Sequence, residues 1–253
     1  MIDSHAHIGR ADFDEDRDLV LARARAAGVS RIVEAGTDAA SSRGAIALAR
    51  RDPLVRAAVG FHPCDVSAER MAEMDEIEAL ATEPEVVAIG ETGLDLHWPE
   101  NAPIEVQEEF LRRHVAIAKK AGKPLVLHHR AAGERVAALL EREGPPPAGG
   151  TFHCFAGDVA LARRVIAMGM KIGVGGSATF KKSPLPEILR AIGVEHVVLE
   201  TDAPYLAPVP HRGKRNEPAY LALVRDHVAA SLGTTPAALE AATDAAARAL
   251  FRI

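Results

Sequence analysis

Cysteine is almost absent from this chain. Cys64 and Cys154 are the only two in 253 residues, too few for a disulfide framework, so a reducing compartment is expected. Aromatic residues are also scarce, at 4%. The core must therefore rest on Ala, Val, Leu and Ile, which the 48% hydrophobic content supplies in full. Side-chain amides are nearly missing: Asn101, Asn216 and Gln107 are the whole set. Such scarcity fits a heat-adapted source and fits an Ala/Arg compositional bias equally well. No apolar run approaches the roughly 18 residues of a membrane helix. Asp3, His5 and His7 interrupt any early apolar stretch, so no secretory leader and a cytoplasmic location are expected. Net positive charge is lacking too: at -5 the chain has no global attraction to nucleic acid, and an anionic substrate needs a local basic patch or metal ions.

What the chain has is alternation. Short runs rich in Val and Ile occur at "RIVEAG", "VRAAVG", "VVAIGE", "PLVLHH", "MKIGVGG" and "HVVLETD", with weaker ones at "MIDSH" and "GGTFHCF". Between them lie helix-period segments such as "AASSRGAIALARR", "SAERMAEMDEIEALAT" and "PIEVQEEFLRRHVAIAKKAG", several closing on Gly as helices commonly do. Strands alternating with helices pair in parallel through βαβ crossovers. About eight such units in this length predict a (β/α)8 TIM barrel. The tail from Glu217 to Ile253 reads as two further C-terminal helices. "EGPPPAGG" reads as a rigid connection inside the barrel, so a single domain, residues 1–253, is expected.

Ligand-type residues collect where these strands end. "MIDSHAH" ends in His5 and His7, "AVGFHP" in His62 and "VVAIGETGLD" in Glu91 and Asp95. "PLVLHHR" ends in His128, His129 and Arg130, "GTFHCF" carries His153, and "VVLETDAPYL" holds Glu200 and Asp202. His5 and His7 stand two apart, so on a strand both imidazoles face one way. That spacing alone describes a metal pair or two solvent-facing histidines, and any one residue of the set could be an ordinary rim side chain. Parallel barrel strands bring all the ends to one rim, where this fold builds its sites, and the joint set argues for a shared purpose.

In this order, "DSHAH", "GFHP", "GETGLD", "PLVLHHR", "HCFAG", "ETDAPYL" and "RGKRNEP" resemble the TatD family of metal-dependent deoxyribonucleases, within the amidohydrolase-like superfamily. The resemblance runs over nearly the whole chain. It implies a hydrolase with two divalent ions: His5, His7 and Asp202 on one, His128 and His153 on the other, and Glu91 bridging both. A carboxylate can bridge because it offers two oxygens, and paired cations can activate water for phosphoryl displacement. No lysine lies in "VVAIGETGLDLHW", which argues against relatives bridged by a carboxylated lysine. Asp202 is also a candidate general base, so Glu91 and Asp202 are the expected catalytic pair. The ion set stays open among Zn, Mn and Mg, with His nitrogen less typical for Mg.

Arg130 resembles the family's phosphate-contacting arginine, and a rim salt bridge is its alternative reading. Arg212, Lys214 and Arg215 in "HRGKRNEP" are either the missing basic patch or a solvated loop. His62 is expected on the substrate side of the metals and not among their ligands. Lys181 and Lys182 lie where phosphate contact is possible but unspecific. The chain departs from the family pattern at Leu96, where an aromatic is common and Trp98 stands two residues on, and at Ala131 and Ala156, which replace polar residues. His129 should point away from His128, and His114, mid-helix, is expected to be solvated or packed on the sheet. The implied substrate is single-stranded DNA trimmed from its 3′ end, or another phosphodiester. The alternatives are an esterase or amidohydrolase, such as a D-aminoacyl-tRNA deacylase, and a non-catalytic nucleic-acid-binding barrel. The oligomeric state stays open, a monomer included.

Overall fold

The computed structural model describes residues 1–253. Eight parallel strands follow one another in chain order around a single sheet: β1 Ile2–Ala6, β2 Arg31–Ala35, β3 Val55–Val59, β4 Val86–Asp95, β5 Leu125–Arg130, β6 Gly150–Phe152, β7 Met170–Val174 and β8 Val197–Leu199. Each strand is followed by a helix: α1 Arg17–Ala26, α2 Ala39–Arg51, α3 Met74–Leu80, α4 Ile104–Ala121, α5 Gly133–Glu143, α6 Val159–Ala167, α7 Leu185–Ile192 and α8 Leu221–Leu232. The architecture is a (β/α)8 TIM barrel. No helix is long and apolar enough to cross a membrane.

Of the two tail helices, α8 completes the eighth βα unit and only α9, Pro236–Phe251, is extra. Its Ala246, Ala247, Leu250 and Phe251 pack on Ile2, Val33, Ala58, Ala88, Val126 and Val198. These six come from β1, β2, β3, β4, β5 and β8, so α9 closes the N-terminal end of the barrel opposite the functional rim. Met1 and Ile2 secure it through Glu240 and Asp244.

Local chemistry sets the helix ends. Asp38 and Ser41 form a reciprocal capping box at the start of α2, and Asp158 and Thr235 accept from backbone N–H groups at the starts of α6 and α9, each cap worth about 1 kcal/mol. Gly122 ends α4 in the left-handed conformation, as its missing Cβ allows. The α4 stripe Phe110, Leu111, Val115 and Ala118 is fully buried, and a buried side chain of the Phe or Leu kind contributes roughly 1.5–3 kcal/mol.

The seam between β8 and β1 is sewn at the rim. Asp3 accepts from the Thr201 backbone N–H at 2.9 Å and from its hydroxyl at 2.6 Å. The Asp202 N–H donates to the His5 carbonyl and the His7 N–H to the Ala203 carbonyl. These bonds fix the first and last strand ends against each other, and both ends carry donor side chains.

Candidate metal centre

Glu91 is the hub of the rim. It lies in β4, the longest strand, where the pairing register with β5 slips between Ile89 and Thr92. Its two carboxylate oxygens face two different sets of side chains. Oε2 is 3.3 Å from His5 Nε2 and 3.2 Å from His7 Nε2, and Asp202 Oδ1 stands 3.5 and 3.6 Å from the same two nitrogens. Oε1 is 2.8 Å from His153 Nε2, 3.0 Å from His128 Nδ1 and 3.4 Å from His62 Nε2. The structure thus brings together all six residues expected to ligate metal: His5, His7, Glu91, His128, His153 and Asp202.

It adds His62 and Asp95. His62, expected on the substrate side, stands within the donor set, 3.2 Å from His128 Nδ1, and the trio His62, Glu91 and His128 converges closely enough to hold an ion. His62 lies beyond the end of β3, where strand alternation no longer dictates direction. Asp95, four residues after Glu91, takes the far nitrogen of His128, Nε2, at 3.0 Å and so orients that ring. It was legible as a strand-end carboxylate but had no role assigned.

The electrostatics follow from burial around one carboxylate. Burial opposes charge on Glu91, yet His153, His62 and His5 hold its carboxyl well below the usual range. Asp202 is also lowered, its burial overcome by His5 and the neighbouring imidazoles. Burial alone would neutralise His128, but hydrogen bonds to Asp95 and Glu91 lift it to about 9. His62 goes the other way: burial, with other imidazoles nearby, drives it down to about 3. Beneath the site Glu200 accepts from the Cys154 backbone N–H, and burial pushes its carboxyl up to about 8.

The donor set fits a metal. Glu91 Oε2, which faces the donor set, is buried with no hydrogen-bond partner, which is uncommon and costly without compensation. Imidazole nitrogens also approach one another, His5 Nε2 to His7 Nε2 at 3.1 Å and His153 Nε2 to His128 Nδ1 at 3.3 Å. Lone pairs that converge in this way are eased by a cation, and neutral imidazole with carboxylate is a common metal environment.

The outer residues separate. Arg130 is exposed with its guanidinium 5.1 Å from the Trp98 ring centroid, not in a rim salt bridge. Arg212 is exposed and lies 4.4 Å from the Phe180 ring centroid, and Lys214 is exposed in the same loop. Arg215, expected to bind substrate with them, is held elsewhere. It donates to Asp16 Oδ1 and Oδ2 at 2.8 and 2.7 Å and to the Asp12 carbonyl, an exposed pairing across the barrel seam. Lys181 and Lys182 are both exposed. His129 is buried against Phe152 and Phe155, away from the donors, as strand alternation requires. A cavity of about 370 Å³ opens beside His7, lined by Arg10, Arg17, Thr37 and Arg51 among others.

Residues 2–252 match the family model described as TatD related DNase. The chain is 37% identical to the uncharacterized metal-dependent hydrolase YabD of Bacillus subtilis, covering 100% of this chain and 99% of that protein. It is 39% identical to the 3′-5′ ssDNA/RNA exonuclease TatD of Salmonella typhimurium, again over 100% and 99%. Among solved structures, YJJV, a TatD homologue from Escherichia coli, superposes with a TM-score of 0.93 at 29% identity, covering 100% of this chain and 98% of that one. With the family model matched from end to end, this chain belongs to the TatD-related DNase family of metal-dependent hydrolases.

Proposed function

We propose that residues 1–253 work as one phosphodiesterase that hydrolyses single-stranded DNA from its 3′ end with two divalent ions. The observation that carries the reading is Glu91, whose two oxygens address two separate sets of donors. His5, His7 and Asp202 would hold one ion and His128 and His153 the other, with Glu91 shared and His62 at its edge. Ions bound there would supply an activated water and positive charge for the phosphoryl oxygens. A nuclease acting on DNA and RNA among the full-length relatives supports the substrate class.

The chain's own residues divide the remaining work. Asp202 is held ionised, so it can take a proton from the attacking water. As the new P–O bond forms and the bond to the 3′ oxygen breaks, that proton passes to the leaving oxygen. Asp95 fixes the His128 ring through Nε2, and an orienting partner of this kind commonly matters to a metal site. Arg130 can bind a phosphate by paired hydrogen bonds, and Arg212 and Lys214 supply the local positive charge that the net charge lacks.

The test is a metal series. EDTA-stripped protein is given Mg, Mn or Zn in turn and incubated with 5′-labelled single-stranded DNA. A ladder that shortens from the 3′ end only when metal is present is the expected result. Intact DNA with every ion, alongside a measured metal load, would refute the phosphodiesterase reading and turn attention to ester and amide substrates.

A further inference from the structure

Six large apolar side chains are exposed on the whole molecule, and five of them, Leu96, Trp98, Tyr205, Leu206 and Val209, are on two loops of the functional rim. Isolated exposed hydrophobics need no explanation, but a clustered set around a site does. The two loops follow β4 and β8. In a barrel whose strands run in order from β1 to β8, these positions lie across the mouth from each other with Glu91 between.

The aromatic members share one construction. Trp98 is 44% exposed and Tyr205 46%. The Arg130 guanidinium lies 5.1 Å from the Trp98 ring centroid, and the Arg10 guanidinium lies 5.5 Å from that of Tyr205. Each arginine approaches one face of a ring and leaves much of the ring to solvent. Tyr205 is 6.1 Å from the His7 ring, and Arg10 and His7 both line the 370 Å³ cavity. Each side of the mouth therefore offers an apolar plate with an arginine beside it, Arg10 being in an exposed pair with Asp12 at 3.1 Å that a phosphate can replace. Plate and arginine together suit a ligand alternating flat apolar rings with anionic links, because nucleobases stack on aromatic side chains while arginine takes the phosphate. Inside a base-paired duplex every ring is stacked on both faces, and only the terminal pairs have a free one.

Resting on the phosphodiesterase reading, we infer that Trp98 and Tyr205 are base-stacking platforms on opposite sides of the Glu91 cluster. Each receives an unpaired nucleobase while its arginine partner, Arg130 or Arg10, holds a neighbouring phosphate. Preference for a single strand then comes from the bases and not from the backbone alone.

The only tryptophan of the chain is Trp98, so its emission reports this contact directly. Mg-loaded and Zn-loaded protein is mixed by stopped flow with single-stranded oligo(dA), with an abasic strand of equal length and with a blunt duplex, and emission is read before turnover. Saturable quenching by oligo(dA), with little by the other two, is expected. In steady state Trp98→Ala should raise KM for oligo(dA) about tenfold, a size typical of one lost base stack. It should raise KM for the abasic strand less than twofold, and Trp98→Phe should restore most of the loss. Tyr205→Ala should behave like Trp98→Ala, a second variant should one of them fold poorly.

Equal quenching by the abasic strand, or KM rising alike for both strands, would overturn the stacking. So would emission that changes with protein concentration alone, which would assign the rim to a second copy of the chain. Failure of the wild-type protein to cleave any DNA sinks the phosphodiesterase reading separately. In that event, base-dependent quenching keeps the platforms, and its absence removes them.

Discussion

His114 gives the sharpest physical prediction, because its protonation state follows from three bonds. Its Nε2 accepts from the Phe61 backbone N–H at 2.9 Å, so that nitrogen carries no proton. The proton is then on Nδ1, which faces the Phe110 carbonyl at 2.6 Å and the Thr92 hydroxyl at 3.0 Å. The ring is fully buried in α4 and touches the ends of β3 and β4, beside His62 and Glu91 respectively. Burial pushes its pKa from the ordinary 6.5 to about 4. In the unfolded chain the imidazole takes a proton near its ordinary value. The fold favours the neutral form, so stability is complete above pH 6.5 and is lost as pH falls from 6.5 toward 4. Over that whole window the loss is about 3 kcal/mol, and between about pH 7.5 and about pH 5 it is about 2 kcal/mol.

The check is His114→Gln, whose amide oxygen can still accept from Phe61 but cannot titrate. Urea unfolding of both proteins, followed by far-UV circular dichroism in EDTA, removes the proton linkage of metal binding. Near pH 7.5 the variant should be the less stable by about 1–3 kcal/mol, from the altered hydrogen bonds and packing. That gap should shrink by about 2 kcal/mol on going to about pH 5. Other buried histidines and carboxyls titrate in the same interval but are common to both proteins. A gap that does not change with pH would refute the reasoning, because it would mean that the buried ring is protonated as readily as the unfolded one.

Three further outcomes are expected. Asp202→Asn, compared after loading to a metal content matched to the wild type by elemental analysis, should lose about 10²–10⁴-fold in kcat on single-stranded DNA; near-normal turnover at matched metal would remove the proton-transfer role. Glu91→Gln should bind fewer ions per chain than the wild type under matched loading, and equal stoichiometry would show that the two donor sets do not share this carboxylate. Gly93→Ala should destabilise the fold by roughly 3–5 kcal/mol in denaturant, because Gly93 has φ +146° and an added Cβ would overlap the His128 carbonyl oxygen; an unaltered midpoint would mean that β4 and β5 can separate freely at the rim.

The barrel was legible because its signal is redundant. Eight apolar runs and the helices between them each had only to be recognised as an element, and the crossover geometry then ordered the strands. What the sequence could not show was direction at the rim. Ala88 faces the barrel interior, and simple alternation along β4 would send position 90 inward and Glu91 outward. The register slip between Ile89 and Thr92 reverses that, so the central carboxylate reaches the imidazoles through an irregularity invisible to periodicity. The glycines of "GETGLD" let β4 run on to Asp95 close against the β5 backbone. Its motif, and not its pattern, identified Glu91.

Long-range pairing was equally hidden. Arg215 and Asp16 lie 199 positions apart, and nothing in "RGKRNEP" distinguishes the arginine that grips Asp16 from Arg212, which lies over the Phe180 ring instead. His114 shows the converse. It continues the buried stripe Phe110, Leu111, Val115 and Ala118 in α4, so helical spacing places it on the sheet face, where a histidine must find partners. Identifying those partners required knowing that the ends of β3 and β4 meet beneath it. Local rules thus select which residues are buried, and only the closed barrel decides which buried polar groups meet.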